Sequence, residues 1–519
     1  MLIACKEENN MNNLGLIPLP SKIKIVSGKT LIDNKWSIKH NNLHTDLDDL
    51  KKLLTQNLNN HKITLNKNSK KNISLIIRTN DGFKDEDYMI NIHKDEILII
   101  ASSPSGIFYG IETFNQLLDS SERSKNGLLL SNMNIVDQPR FKWRGMHLDV
   151  GRHFFDISFI KKYIDYIAMH KMNIFHWHLT EDQGWRIEID AYPKLTEIGA
   201  YRDETLIGSY YDKPHKFDGI KYGGFYSKKD IREVIEYASK RYVTVVPEIE
   251  MPGHSLAALA AYPELSCTNQ MHTVANIWGV HKEVFCAGKE STFNFLETVL
   301  TEVADMFPGP FIHIGGDESP KDRWEKHDLD QKRIIDENLK DEHELQSYFI
   351  KRIENILSNL NKRLIGWDEI LEGGLAPGAI VQSWRGMDGG IVAANANHEV
   401  IMSPTSHAYF DYYQSEDKDK EPLAIGGFLS LEKVYQFEPI PENIEPEKIK
   451  FILGGQGNVW TEYINTPEKV EYMAIPRMSA MAEVLWSKKS DRNFLSFKKR
   501  MEWQYKRLDA MKVNYRKDS

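Results

Sequence analysis

The sequence predicts an α/β protein, a (β/α)8 TIM barrel preceded by a small α+β domain. Three observations carry this. Over about 340 residues beyond Asp137, eight short apolar runs alternate with longer segments of helical periodicity, the pattern of a barrel. Carboxylates, histidines and aromatic rings recur at the C-terminal ends of those runs, where a barrel keeps its chemistry. The stretch before Asp137 has a different texture, with β-type runs and a single amphipathic helix. A doubly wound open sheet would instead place a Gly-rich phosphate-binding turn after an early strand, and none is found.

In chain order, residues 1–16 are polar, Asn-rich and aperiodic, and read as a leader or tether. Within them Met1-Leu-Ile-Ala-Cys5, followed by Lys6-Glu7-Glu8, resembles the end of a bacterial lipoprotein signal. The expectation is export to the periplasm or an outer membrane surface, with a lipid anchor at Cys5. Residues 17–139 contain the runs Lys22–Val26, Ile73–Thr79, Tyr88–Ile92 and Glu96–Ala101 and a helix over Gly106–Leu118, and Asp137-Gln-Pro139 marks their boundary. Residues 140–490 form the barrel. Its strands are expected at Gly145–Val150, Ile174–Leu179, Val243–Ile249, Phe311–Gly316, Leu364–Trp367, Ile380–Trp384, Val400–Ser403 and Ile452–Trp460. Helices are expected at Ser158–His170, Lys228–Lys240, Thr292–Met306, Glu342–Leu360 and Pro467–Ala482. Residues 491–519 form a C-terminal helix that packs on the barrel through Trp503 and Leu508.

Composition narrows the function classes. The chain has 519 residues, 27% of them charged, and a net charge of −8, so nothing in its overall electrostatics favours nucleic acid. The basic run His61–Lys71 is interleaved with Asn and reads as a solvated face. No apolar stretch approaches the roughly 20 residues that span a bilayer. Cys267 and Cys286 are either free thiols or, in an exported protein, a disulfide across one loop-rich stretch. No motif calls for a cofactor.

The strand ends define the chemistry. The first delivers Asp149 and Arg152; the second His176, His178, Glu181 and Asp182; the third Glu248, Glu250 and His254; the fourth Asp317 and Glu318. Later strands bring Trp367-Asp368-Glu369, Trp384-Arg385, Tyr409-Phe-Asp411 and Trp460-Thr-Glu462. Arginine, many carboxylates and aromatic rings at one barrel mouth suit a neutral polyhydroxylated ligand with apolar ring faces, a sugar. Two adjacent carboxylates cannot both ionise freely, so one pKa is expected to rise. Glu318 is expected to be the raised one and the general acid, with Asp317 charged beside it. The usual retaining arrangement adds a second carboxylate across the scissile bond, about 5 Å away. The seventh strand ends in Ser403-Pro-Thr-Ser-His407, without an acid, so the nucleophile is expected to belong to the substrate.

Arg144-Gly-Met-His-Leu-Asp-Val-Gly-Arg-His153, His176-Trp-His-Leu-Thr-Glu-Asp-Gln-Gly-Trp-Arg186, His313-Ile-Gly-Gly-Asp-Glu318 and Gly454-Gly-Gln-Gly-Asn-Val-Trp-Thr-Glu462 together resemble glycoside hydrolase family 20, the β-N-acetylhexosaminidases. The resemblance runs over about residues 18–510, including the family's small α+β domain. It implies removal of terminal β-linked GlcNAc or GalNAc from glycans with retention of configuration. The substrate's acetamido oxygen would attack the anomeric carbon to form an oxazolinium, outside the two-carboxylate scheme. Glu318 would protonate the leaving oxygen and Asp317 would orient the acetamido N–H. By position, Arg152 and Asp411 would bind O3 and O4, and Glu462 O4 and O6. Trp367, Trp384 and Trp460 would wall the acetamido pocket, Tyr409 would hydrogen-bond its oxygen, and His254 with Glu181 would support Glu318. Relatives mostly carry Asp at Glu181, so Asp182 is an alternative partner for His254.

Other readings remain open at this level. Asp317-Glu-Ser-Pro suits the start of a helix, and the tryptophans suit a core. His176 and His178 share one face of a strand, as metal ligands would, which admits a metal-dependent barrel amidohydrolase. Both are expected to be structural, with no metal at the site. A lacto-N-biosidase within the family and a sugar-binding protein without turnover complete the alternatives.

Overall fold

The computed structural model describes residues 12–41, 44, 46–79, 82–268 and 270–517; Cys5 and the motif around it lie outside them. In the first domain, alternation sets which face is buried. Ile73, Leu75 and Ile77 of one strand and Tyr88, Ile90 and Ile92 of another turn inward, and Ile90 pairs with Ile99 of the strand Glu96–Ala101. Helix Pro104–Asp119 covers this face. Ser103 caps its first turn and Pro104 sits where no N–H is missed. The sheet has seven strands, including Trp36–His40 and Gly127–Asp137, and a second helix, Asp46–Asn60, flanks it. None of these three was expected. Ser131, Asn132 and Asn134 interrupt the apolar alternation of Gly127–Asp137, and the Leu47, Leu50, Leu54, Leu58 stripe is diluted by Asp and Asn.

Eight parallel strands then close into a barrel: Trp143–Asp149, Ile174–His178, Thr244–Met251, Phe311–Gly315, Arg363–Trp367, Ile380–Ser383, Val400–Met402 and Ile452–Gly457. The last pairs with the first, Gly454 opposite Trp143. All eight lie where the sequence places them, to within a few residues. The expected helix Pro467–Ala482 is two, Pro467–Ala474 and Arg477–Trp486, because Pro476 has no N–H to continue the ladder. The C-terminal helix is Phe494–Ala510. Residues 12–16 are not a free tether: Leu16 is buried, its carbonyl accepts from Arg500 at 2.6 Å, and Asn12 meets Ser496 at 2.5 Å.

Buried charges join the two domains. Arg144, on the first barrel strand, donates two hydrogen bonds to Glu86, at 2.9 and 2.7 Å. The Lys171 ammonium lies 3.0 Å from Asp137, and both side chains are essentially inaccessible. Removing one member of such a pair strands the other, so Asp137→Ala is expected to lower stability by about 3–5 kcal/mol in urea denaturation. A loss within about 0.5 kcal/mol, the range of a surface change, would show that the contact carries little.

Candidate active site

The site is assembled at the C-terminal mouth of the barrel. The fourth strand ends in Gly315 and Gly316, both with positive φ, +67° and +88°. A Cβ on Gly315 would fall 1.8 Å from a Glu250 carboxylate oxygen, so only glycine lets the strand turn here. Glu318 follows with φ 43° and His254 faces it with φ 46°, left-handed conformations that non-glycine residues rarely hold. This turn breaks strand alternation and brings Asp317 and Glu318 to the same imidazole. His254 Nε2 lies 3.4 Å from Glu318 Oε2 and 3.9 Å from Asp317 Oδ2.

On its other edge, His254 Nδ1 is 3.2 Å from Glu181 Oε1 and 3.2 Å from Asp182 Oδ2. Both carboxylates therefore support the imidazole. Burial alone would lower the His254 pKa, but the charge of Glu181 and the contacts with Asp182, Glu181 and Glu318 hold it well above the ordinary value. An imidazolium sits between the supporting acids and the Asp317–Glu318 pair.

The protonation order of that pair differs from expectation. Burial pushes Asp317 up to about 7, against the pull of His254 and with the charge of Glu318 adding to the rise. The hydrogen bond from His254 holds Glu318 below its ordinary value, against partial burial. The sequence shows the adjacency of the two acids but not which one the imidazolium reaches, and Glu318 is the nearer and the more exposed.

Arg152 is held by Glu181 at 2.5 Å and Asp149 at 3.4 Å, with its guanidinium 5.1 Å from the Trp460 ring. Asp149 also fixes the loops around it, accepting from the backbone N–H of Gly151, Arg152 and Thr461. Trp384 stacks on Tyr409, centroids 6.1 Å apart, and Tyr409 lies 6.4 Å from Trp460. Trp367 is almost wholly buried, with its ring 5.7 Å from that of Trp460. Asp411 is raised well above a normal carboxylate, by burial and then by the charge of Glu462. Burial also raises Glu462, with Arg152 opposing it. Arg152 Nε, Asp317 Oδ1, Asp411 Oδ1 and Glu462 Oε2 are buried with no hydrogen-bond partner among the described residues, the polar capacity a hydroxylated ligand would satisfy.

Beneath the mouth, Glu248 gathers what the sequence displayed only as strand residues. It accepts from Trp367 Nε1 at 2.8 Å, contacts His313 Nδ1 at 2.8 Å and His176 Nε2 at 3.0 Å, and bonds His178 Nδ1. His176 and His178 are fully buried packing partners of this carboxylate. Glu369 is a second acid that the sequence shows only as a strand-end residue. It accepts from Trp384 Nε1 at 2.8 Å, and burial plus the neighbouring Asp317 lift it to about 9. A sequence signal for both existed in their places at the ends of the third and fifth strands, but nothing in it says that they anchor tryptophans.

Two family models match in order: glycosyl hydrolase family 20, domain 2, over residues 13–138, and the catalytic domain of glycosyl hydrolase family 20 over residues 141–489. The chain belongs to glycosyl hydrolase family 20. Among its relatives, a beta-hexosaminidase of Porphyromonas gingivalis is 45% identical over 532 residues, spanning 99% of this chain and 66% of that protein. A beta-hexosaminidase of Vibrio furnissii is 35% identical, over 90% of this chain and 76% of its own length. The family 20 exo beta-N-acetylglucosaminidase of Vibrio harveyi, solved with N-acetylglucosamine, superposes with a TM-score of 0.83 at 31% identity, covering 97% and 78% of the two chains. The beta-N-acetylhexosaminidase of Bacteroides fragilis superposes with a TM-score of 0.81 at 32% identity, over 96% of each.

Proposed function

We propose that this protein is a retaining exo-β-N-acetylhexosaminidase that removes terminal β-linked GlcNAc or GalNAc by substrate-assisted catalysis. The observation that carries the reading is the placement of Asp317 and Glu318 on one turn, bridged by one imidazole, with Asp317 close enough to weigh electrostatically on Tyr409 and Glu369. Two acids on one side of a bond cannot serve as acid and opposing nucleophile. They can serve as acid and as partner to a nucleophile carried by the sugar. Glu318 gives its proton to the leaving oxygen while the acetamido carbonyl oxygen bonds the anomeric carbon. Asp317 accepts the acetamido N–H, whose acidity grows as the oxazolinium forms. Water then attacks the anomeric carbon, Glu318 takes its proton back, and the configuration is retained. Holding the nucleophile within the substrate gives it a large effective molarity.

The free pair favours a proton on Asp317, and the reaction uses it on Glu318. Substrate supplies the shift. The acetamido N–H stabilises the Asp317 carboxylate, and a sugar over the 41% exposed Glu318 side chain disfavours its charge. The free enzyme and the substrate complex each hold one proton on the pair, which passes to the leaving oxygen and returns from water; it is lost as pH rises through the pair's upper titration, at about 7 in Asp317. Accordingly kcat/KM is expected to fall about tenfold per pH unit above that point. A profile flat to pH 9 would contradict the shared proton.

Exo-action follows from the polar end of the pocket, where Arg152, Asp411 and Glu462 would bind the hydroxyls of one terminal sugar. Assay of a chitobiose-type β-GlcNAc disaccharide beside a lacto-N-bioside tests this. Monosaccharide release supports the proposal, and release of an intact disaccharide alone would favour a lacto-N-biosidase. Export with a lipid on Cys5 is a further part of the proposal, resting on the Leu2-Ile-Ala-Cys5 motif. Recovery in the membrane fraction would support it, and wholly soluble protein expressed with its native upstream sequence would end it.

A further inference from the structure

Away from the sugar pocket, Cys267, Cys286, His327 and Asp330 converge, their four ligating atoms all within 4.8 Å of one another. We propose that this cluster is a structural Zn2+ site, closed by two thiolates, one imidazole nitrogen and one carboxylate oxygen.

The spacings among the donors approach those of a tetrahedral zinc site. Zinc bonds of about 2.3 Å to sulfur and about 2.0 Å to nitrogen and oxygen put neighbouring sulfur–oxygen and sulfur–nitrogen pairs about 3.5 Å apart. Asp330 Oδ2 lies 3.3 Å from Cys267 Sγ and 3.4 Å from Cys286 Sγ, and Cys286 Sγ lies 3.4 Å from His327 Nδ1. His327 Nδ1 stands 2.8 Å from the same carboxylate oxygen, a little inside the zinc-bound spacing. Two thiols and an imidazole thus crowd one oxygen that offers two lone pairs. One cation replaces that crowding with four bonds.

The surroundings suit a closed site. Asp330 and Cys286 are wholly buried and Cys267 nearly so. Asp330 is sealed beside two thiols and the His327 imidazole, four donors that one cation would gather. The second oxygen, Asp330 Oδ1, accepts the Gly288 N–H at 2.5 Å, the kind of outer bond that orients a metal-binding carboxylate. Gly288 allows this approach because a Cβ there would fall 2.3 Å from the Leu329 backbone. His327 and Asp330 are spaced i, i+3 around the start of helix Asp328–Asp336, so both face the loop that carries the cysteines. A disulfide is the pairing expected for an exported protein, but here the cysteines are free thiols, each turned to Asp330. Thiolate, imidazole and carboxylate donors at tetrahedral spacing select zinc over magnesium or calcium. Binding releases both thiol protons to solvent and involves no redox change.

The site would staple the segment between Cys267 and Cys286, which reaches the sugar pocket. Ala275 N–H donates to the Asp182 carbonyl at 3.0 Å, and Trp278 packs 5.5 Å from His153. The role is positional, since none of the four residues touches the catalytic pair.

The test is metal retention by the intact chain. Protein reduced with a phosphine, loaded with ZnCl2 and desalted is expected to hold about one zinc per chain. Peptide mapping should show Cys267 and Cys286, unlike Cys5, unreactive to a thiol reagent until a strong chelator is added. Co2+ in place of zinc should give a thiolate-to-cobalt charge-transfer band in the near ultraviolet. Cys286→Ala and Asp330→Asn should each lower retention at least about tenfold. Reduced wild-type protein that retains no zinc would overturn the proposal. So would a freely reactive Cys267 or Cys286 in zinc-loaded protein, or retention unchanged in Cys286→Ala.

Discussion

Glu318→Gln is expected to lower kcat on an oligosaccharide by about 10²–10⁴-fold, the contribution of a positioned general acid. The amide keeps the volume and a hydrogen bond to His254 but has no proton to give an alkoxide leaving group. A p-nitrophenyl glycoside, whose leaving group departs with little help, should lose far less. KM should change little, because the proposal gives the ring contacts to Arg152, Asp411, Trp384 and Trp460. Equal losses on both leaving groups would mean that Glu318 is not the acid.

Asp317→Asn is expected to lower kcat by about 10²–10³-fold, the range for loss of one preorganised electrostatic contact in the transition state. In the ground state the acetamido N–H is a weak donor. In the oxazolinium it is a cationic one, and only a carboxylate answers the change. The loss should therefore fall on kcat more than on KM, and should persist with activated aryl substrates, unlike that of Glu318→Gln. The same variant removes the group that burial has lifted to about 7, so the alkaline fall in kcat/KM should move. An unchanged rate would remove Asp317 from the transition state.

Much of this was legible in the sequence, for physical reasons. All eight barrel strands appear as apolar runs because both faces of a parallel barrel strand are buried. Asp317, Glu318, Arg152 and His254 could be placed at the mouth because strand ends are readable once strands are. What stayed hidden depends on long-range geometry. The strand Gly127–Asp137 is stabilised by pairing with three other strands despite its Asn residues, and its pattern alone does not show that. Glu248 was visible as a residue, but its role as common acceptor for Trp367, His313, His176 and His178 arises only when four strands meet. The proton order in the Asp317–Glu318 pair is hidden for a similar reason. Adjacency predicts that the two charges conflict, whereas the deeper burial of Asp317 and the nearer imidazole at Glu318 decide which acid keeps the proton. Cys267 and Cys286 suggested a disulfide until His327 and Asp330 came to lie beside them.

The central claim, a nucleophile supplied by the substrate, is tested most directly by the 2-substituent of the sugar. Initial rates should be compared for p-nitrophenyl β-N-acetylglucosaminide and p-nitrophenyl β-glucoside, which share leaving group, ring and linkage. The account predicts cleavage of the acetamido sugar and a rate for the plain glucoside lower by about four orders of magnitude or more, since the effective molarity of the held nucleophile disappears with it. Comparable rates on the two would mean that the protein provides its own nucleophile, and would contradict the roles given to Asp317 and Tyr409.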